Sequence, residues 1–236
     1  MKSKKFSVSV VCNIILLILC VLLIYKGGFI SKLKNDMLGS KEKSPTSNYI
    51  YVVRNDMFKI MPATKNTIVF VGDSLTDYCN WNELYQNETI INRGIAGDTT
   101  TGVLQRINEI VNQKPNKIFL MIGINDIISG VNSKTIVTNY QNILKTINSQ
   151  DANCKVYVES ILPVVENKIA AKNSVIANIN SQVKTIAENM SYTYIDLYSK
   201  FLDNNQQLKL NYTDEGLHLL GDGYILWKNN IDQYVS

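Results

Sequence analysis

The 236-residue chain contains a single histidine, His218. Any hydroxyl nucleophile that relies on an imidazole base must therefore use that one residue. Cysteine is also scarce: Cys12 and Cys20 lie in an apolar run, and Cys79 and Cys154 lack metal-ligand spacing. Neither a zinc site nor a disulfide framework follows. The net charge of +4 is mild and the lysines are scattered, with no basic stripe interleaved with aromatics, so no nucleic-acid partner is expected. A Gly-rich, Lys-bearing phosphate loop, internal repeats and low-complexity tracts are likewise missing. What remains, 45% hydrophobic and 19% charged residues, is the composition of a globular protein. The length suits one well-buried domain plus an appendage.

The appendage is N-terminal. Phe6 to Tyr25 is uncharged, rich in Val, Ile and Leu, and bounded by Lys5 and Lys26. As a helix it reaches roughly 30 Å, which matches a bilayer's hydrocarbon core. A cleaved signal peptide has a shorter apolar region and a small-residue cleavage site, whereas this run ends Ile24-Tyr25-Lys26. Residues 1–25 are thus expected to form a transmembrane helix. The polar, lysine-rich stretch 26–47, with Gly27-Gly28 and Ser44-Pro45, reads as a flexible linker to a domain over 48–236.

Within that domain, apolar strand candidates begin at Ile68, Thr89, Ile118, Val156 and Tyr194. The continuous runs Ile68-Val69-Phe70-Val71 and Ile118 to Ile122 suit strands buried on both faces of a parallel sheet. Between and after the strands, spacings of three and four mark helices: Val103, Ile107, Ile110; Ile136, Tyr140, Ile143, Ile147; Ile176, Ile179, Val183, Ile186, Met190; and Tyr224, Trp227, Ile231, Tyr234. Strands alternating with helices predict a three-layer, doubly wound α/β domain of about five parallel strands.

Such a sheet binds ligands beyond the carboxyl ends of its strands. Three polar turns follow the first three strands: Gly72-Asp73-Ser74-Leu75, Asn92-Arg93-Gly94 and Gly123-Ile124-Asn125-Asp126. Ser74 is a candidate nucleophile, because a strand-to-helix turn exposes its hydroxyl while its N–H points at a developing oxyanion. Taken singly, Ser74 reads equally as a helix cap, Asn125 as a turn residue and Gly94 as a permissive backbone position. His218 changes the balance. It follows Asp214 and Glu215 in the segment between the last strand and the last helix, so a carboxylate stands ready for its second ring nitrogen.

These four segments resemble the sequence blocks of the SGNH (GDSL) hydrolases, which carry Ser, Gly, Asn and His in that order. Gly72-Asp73-Ser74-Leu75 is similar to the first block, Gly94 within Asn92-Arg93-Gly94-Ile95 to the second, Gly123-Ile124-Asn125-Asp126 to the third and Gly216-Leu217-His218-Leu219 to the last. The stretch Asn92 to Thr100 looks closest to the branch holding platelet-activating-factor acetylhydrolase-like and carbohydrate O-acetyl esterases. The resemblance implies a flavodoxin-like fold and a Ser74–His218 esterase without metal or organic cofactor. It also implies an oxyanion hole from the Ser74 N–H, the Gly94 N–H and the Asn125 amide. Members usually carry Asp three residues before the histidine; here Glu215 holds that position and Asp214 precedes it, so Glu215 is the expected triad acid and Asp214 the alternative.

The expected substrate is a short acyl ester, first an O-acetyl group on carbohydrate, with a lysophospholipid or other lipid ester as the alternative. The expected location is the cell membrane, single-pass, with the domain outside and the membrane itself as a partner through the N-terminal helix. Two rivals belong to other classes. A metal-dependent phosphoryl-transfer enzyme is suggested by Asp73, Asp77, Asp98 and Asp126, which otherwise read as caps and turn residues. A noncatalytic surface-binding module of the same fold is opposed by the presence of every catalytic residue type.

Overall fold

In the computed structural model, residues 49–61 and 67–235 are described. The two uninterrupted apolar runs form the centre of the sheet. Strands β1 (Ile68–Gly72) and β3 (Lys117–Met121) are buried at every position, as strands covered on both faces must be. They pair in parallel, and β2 (Ile90–Gly94), β4 (Lys155–Glu159) and β5 (Thr193–Ile195) complete a five-stranded parallel sheet in the order β2-β1-β3-β4-β5. The order reverses direction between β1 and β3. Loops leaving neighbouring strands there diverge to opposite faces and open the crevice in which doubly wound sheets bind ligands.

Helix α1 (Tyr49–Ile60) precedes the first strand, and α2 (Ser74–Asp77), α3 (Trp81–Tyr85), α4 (Thr100–Val111), α5 (Ile124–Ile128), α6 (Ser133–Gln150), α7 (Asn173–Asn189), α8 (Tyr198–Phe201) and α9 (Gly221–Val235) alternate with or follow the strands. The apolar stripes expected on α4 and α6 are buried, Val103, Ile107 and Ile110 on the one and Ile136, Tyr140, Ile143 and Ile147 on the other; on α7, Ile176, Ile179 and Val183 are buried, while Ile186 and Met190 are half-buried and Ala187 carries the buried face on. These three helices pack on one another in sequence. Register aligns Phe70 with Phe119 and Phe119 with Tyr157, and their rings stack across three strands. Trp81 of α3 stacks on Phe70, and Trp227 of α9 meets Trp81 edge-on, so an aromatic layer closes this side of the sheet. The buried Lys117 donates from Nζ to the carbonyls of Tyr234 and Val235, where the negative end of α9 favours a cation.

Helix α1 lies in a segment where the sequence shows scattered apolar residues without a helical stripe. Only Tyr51 and Phe58 of it are buried. The Tyr51 hydroxyl donates to the Gly102 carbonyl at 3.0 Å, Arg54 pairs with Asp77, and the Arg93 guanidinium lies 4.7 Å from the Phe58 ring centroid.

The expected transmembrane helix is corrected. Among the described residues no helix is long and apolar enough to cross a membrane. The longest, α6 and α7, each bear polar residues along one face, such as the exposed Lys134, Thr138, Gln141 and Lys145 on α6, which suits a helix half in solvent. The run Phe6 to Tyr25 lies outside the described residues, as does the linker 26–47. The membrane partner, the single-pass cell-membrane location and the extracellular placement of a tethered domain all presupposed that helix, and they are withdrawn with it.

Candidate active site

Ser74 opens α2 at the carboxyl end of β1. The turn is tight because Gly72 has no side chain: a Cβ there would stand 2.5 Å from the Met121 carbonyl oxygen and 2.1 Å from Thr76 Oγ1. Asp73 caps the helix by accepting from the Leu75 N–H at 3.0 Å. The Ser74 N–H, first in its helix, has no acceptor among the described residues.

His218 is 144 positions away, and its Nε2 lies 2.8 Å from Ser74 Oγ. Its Nδ1 lies 2.7 Å from Glu215 Oε1. The same carboxylate accepts from the backbone N–H groups of His218 and Leu217, so the loop wraps around the side chain that faces the ring. Gly216 permits this wrap by adopting φ +102, and its N–H donates to Thr213 Oγ1. The Asp214 carbonyl accepts from Lys168 Nζ at 2.8 Å, and no hydrogen bond or ion pair joins its carboxylate to the imidazole.

Asn125, in the first turn of α5, donates from Nδ2 to the Asp98 carbonyl at 2.9 Å. This bond uses one of two amide hydrogens and ties α5 to the turn after β2. Gly94 does not offer a free donor. Its N–H goes to Asn92 Oδ1 at 2.8 Å, and a Cβ on it would stand 2.3 Å from the Asp77 nitrogen. The expectation that Gly94 supplies an oxyanion donor therefore fails on hydrogen-bond use, and the glycine is required for close packing. The next glycine differs. Asp98 N–H donates to the Ile95 carbonyl, and Gly97, third in this turn, has φ +79, the pattern of a type II turn. Gly97 is exposed, and its N–H has no acceptor among the described residues. Nothing in the residue pattern of Asn92 to Thr100 separates the two glycines except that Gly97 stands where a type II turn demands one.

Beneath the site lie three buried carboxylates. Asp98 is paired with Arg106 at 2.9 Å, both fully enclosed, and Arg106 also donates to the Gly72 carbonyl. Asp126 accepts from the Thr100 N–H and hydroxyl, and burial pushes it up to about 6. Asp73 is pushed up to about 7, chiefly by burial, with Asp98 and Asp126 adding repulsion and the Leu75 N–H opposing it. These aspartates hold the turns in place, and no group of three or more His, Cys, Asp or Glu among the described residues is arranged to hold a metal ion.

Residues 70–226 match the GDSL-like Lipase/Acylhydrolase family. The chain belongs to that family. It is accordingly a GDSL-type serine ester hydrolase, with the parallel α/β fold of its relatives. It is 29% identical to the human platelet-activating factor acetylhydrolase IB subunit alpha2 over 166 residues, 66% of this chain and 70% of that one. An N-acylneuraminate cytidylyltransferase of Escherichia coli is 28% identical over 72% of this chain but only 40% of its own length. Among solved structures, a Streptococcus pneumoniae protein whose name refers to platelet activating factor superposes with a TM-score of 0.71 at 27% identity, covering 89% of this hydrolase and 99% of that chain.

Proposed function

We propose that this hydrolase removes short acyl groups, first acetyl, from carbohydrate through an acyl-enzyme on Ser74. The observation that carries the reading is the continuous line from Ser74 Oγ to His218 Nε2 and from His218 Nδ1 to Glu215. His218 takes the Ser74 proton as Oγ attacks the ester carbonyl, and Glu215 fixes the tautomer and stabilises the imidazolium. The negative charge passes to the carbonyl oxygen. Donors suited to it are the Ser74 N–H, the remaining Asn125 amide hydrogen and, in place of Gly94, the unengaged Gly97 N–H. Collapse breaks the bond to the alcohol, which leaves with the proton from His218. Water, deprotonated by the same ring, then attacks the acyl carbonyl and frees Ser74.

Two likenesses support the reading: the human relative is named as an acetylhydrolase, and the cytidylyltransferase that shares a segment similar to this chain is named for N-acylneuraminate. The test has two parts. A fluorophosphonate should label the full chain and not Ser74→Ala, and equal labelling of both would remove Ser74 from its role. A panel of p-nitrophenyl acetate, longer p-nitrophenyl acyls, acetylated sugars and lysophospholipids should favour acetyl esters of sugars; a preference for lysophospholipids would replace carbohydrate with lipid.

A further inference from the structure

Tyr78 is the C-cap of α2, four residues after the nucleophile, and its ring centroid lies 5.2 Å from that of His218, tilted by 40°. It is nevertheless 58% exposed. A lone aromatic on a surface is ordinary. This one is held from below: the Tyr78 N–H donates to the Ser74 carbonyl, and the two hydrogens of the Asn92 amide are shared among the carbonyls of Thr76, Asp77 and Cys79, at 2.9, 3.2 and 2.9 Å from the nitrogen. Asp77 is further tied to Arg54 and to the Ala96 N–H, and Trp81 Nε1 donates to the Thr76 carbonyl. The backbone that carries the ring is pinned, while the ring itself faces solvent beside the general base.

The chemistry fixes what that ring meets. The leaving oxygen must come within about 3 Å of His218 Nε2 to receive its proton, which brings its alcohol into the neighbourhood of the ring 5.2 Å from that imidazole. We propose that Tyr78 is a specificity-determining residue, the wall on which the sugar ring of the leaving alcohol stacks. Tyrosine offers an apolar face and a polar tip together. Its hydroxyl has no partner among the described residues, so it is available to a sugar hydroxyl while the face takes the sugar's C–H side. A hydrocarbon chain would use the face and leave the hydroxyl idle. The polar, exposed Asp214 and Glu215 on the facing loop also suit a hydroxylated alcohol better than a lipid tail. The proposal rests on the Ser74–His218 reading above and deepens it by naming the residue that selects the alcohol.

The experiment holds the acyl group constant and varies the alcohol. Wild type, Tyr78→Ala, Tyr78→Phe and Ser74→Ala of the full chain are assayed on the acetate of a methyl glycoside, on ethyl acetate and on an acetylated alkylglycerol ether. Expected is a fall of about tenfold in the sugar-to-ethyl ratio of kcat/KM for Tyr78→Ala, carried mainly by KM, with only part of the ratio restored in Tyr78→Phe, which keeps the face and loses the hydroxyl. Loss of all hydrolysis in Ser74→Ala checks the underlying reading separately. An unchanged sugar-to-ethyl ratio in Tyr78→Ala overturns the proposal, as does a larger loss on the glycerol ether than on the glycoside. Retained hydrolysis in Ser74→Ala overturns the Ser74–His218 reading itself, and the role of Tyr78 with it.

Discussion

Glu215 Oε1 accepts hydrogen bonds from both the ring and the backbone of His218, from Nδ1 at 2.7 Å and from N at 2.5 Å. One oxygen thereby sets the ring's orientation relative to the chain that carries it. Replacing Glu215 by Gln keeps an acceptor there but removes the charge that stabilises the imidazolium. Glu215→Gln should therefore lower kcat by about a hundredfold with little change in KM; the side chain is 47% exposed, so solvent screening keeps the loss below that of a buried triad acid. Asp214→Asn should be nearly silent. Steady-state kinetics of the two variants at one pH decide the matter, and the reverse ranking would move the acid role to Asp214.

Asn125 is bonded through one amide hydrogen to the Asp98 carbonyl, which holds the other in a fixed direction. A donor held ready in this way acts on charge that develops only in the transition state. Asn125→Ala should cost roughly a hundredfold to a thousandfold in kcat and little in KM. Thermal melts run beside the kinetics check that the loss is catalytic; a collapse in Tm with proportionate loss of folded protein would make Asn125 a turn residue only.

The two glycines after β2 should fail in different ways. At Gly94 a methyl group would meet the Asp77 backbone nitrogen at 2.3 Å, and backbone there cannot swing aside. Gly94→Ala should destabilise the fold by about 3 kcal/mol, read as a lower Tm. At Gly97 the strain comes from φ +79 in an exposed turn, so Gly97→Ala should cost about 1 kcal/mol in stability. It should also lower kcat by displacing the N–H. Equal Tm losses with equal kcat losses would contradict the division of roles.

These assignments show how far residue order reaches. Ile68 to Val71 and Ile118 to Ile122 announce central strands because burial on both faces leaves no room for alternation, and the stripes on α4, α6 and α7 announce helices for the complementary reason. Ser74 and His218 could be paired because the chain holds one histidine, so the search for a base had one answer. Helix α1 escaped because only Tyr51 and Phe58 of its many apolar residues are buried, which leaves no single stripe to detect. Gly94 and Gly97 differ in the sequence only by the turn that Gly97 suits; what removes Gly94 as a donor is the Asn92 side chain turning back on its N–H, which residue order does not encode. The Tyr78 ring meets a loop 140 residues further on, a contact that no local pattern encodes.

Glu159 supplies the last prediction, one of stability against pH. It ends β4, is fully buried, and accepts from Trp227 Nε1 at 2.7 Å within the aromatic layer. Burial pushes its carboxyl up to about 8 from an ordinary 4.5, and the Trp227 N–H opposes this only in part. Below the ordinary value the group is neutral in both the folded and the unfolded chain and contributes no slope. Between 4.5 and about 8 the unfolded chain releases the proton and the folded chain keeps it, so the unfolded state gains and stability falls as pH rises. Above that window the folded protein carries a buried charge and the loss is complete. Asp73 and Asp126, pushed up to about 7 and about 6, act in the same direction over narrower windows. Glutamine mimics the protonated acid: its carbonyl can accept from Trp227 and it never ionises. Glu159→Gln should therefore match the wild type near pH 5 and exceed it at pH 9 by an amount on the order of a few kcal/mol. Denaturant melts of both proteins from pH 5 to 9 measure the difference directly. Parallel curves for wild type and Glu159→Gln would mean that Glu159 ionises in the fold at its ordinary pH, with a compensating partner or water in the aromatic layer.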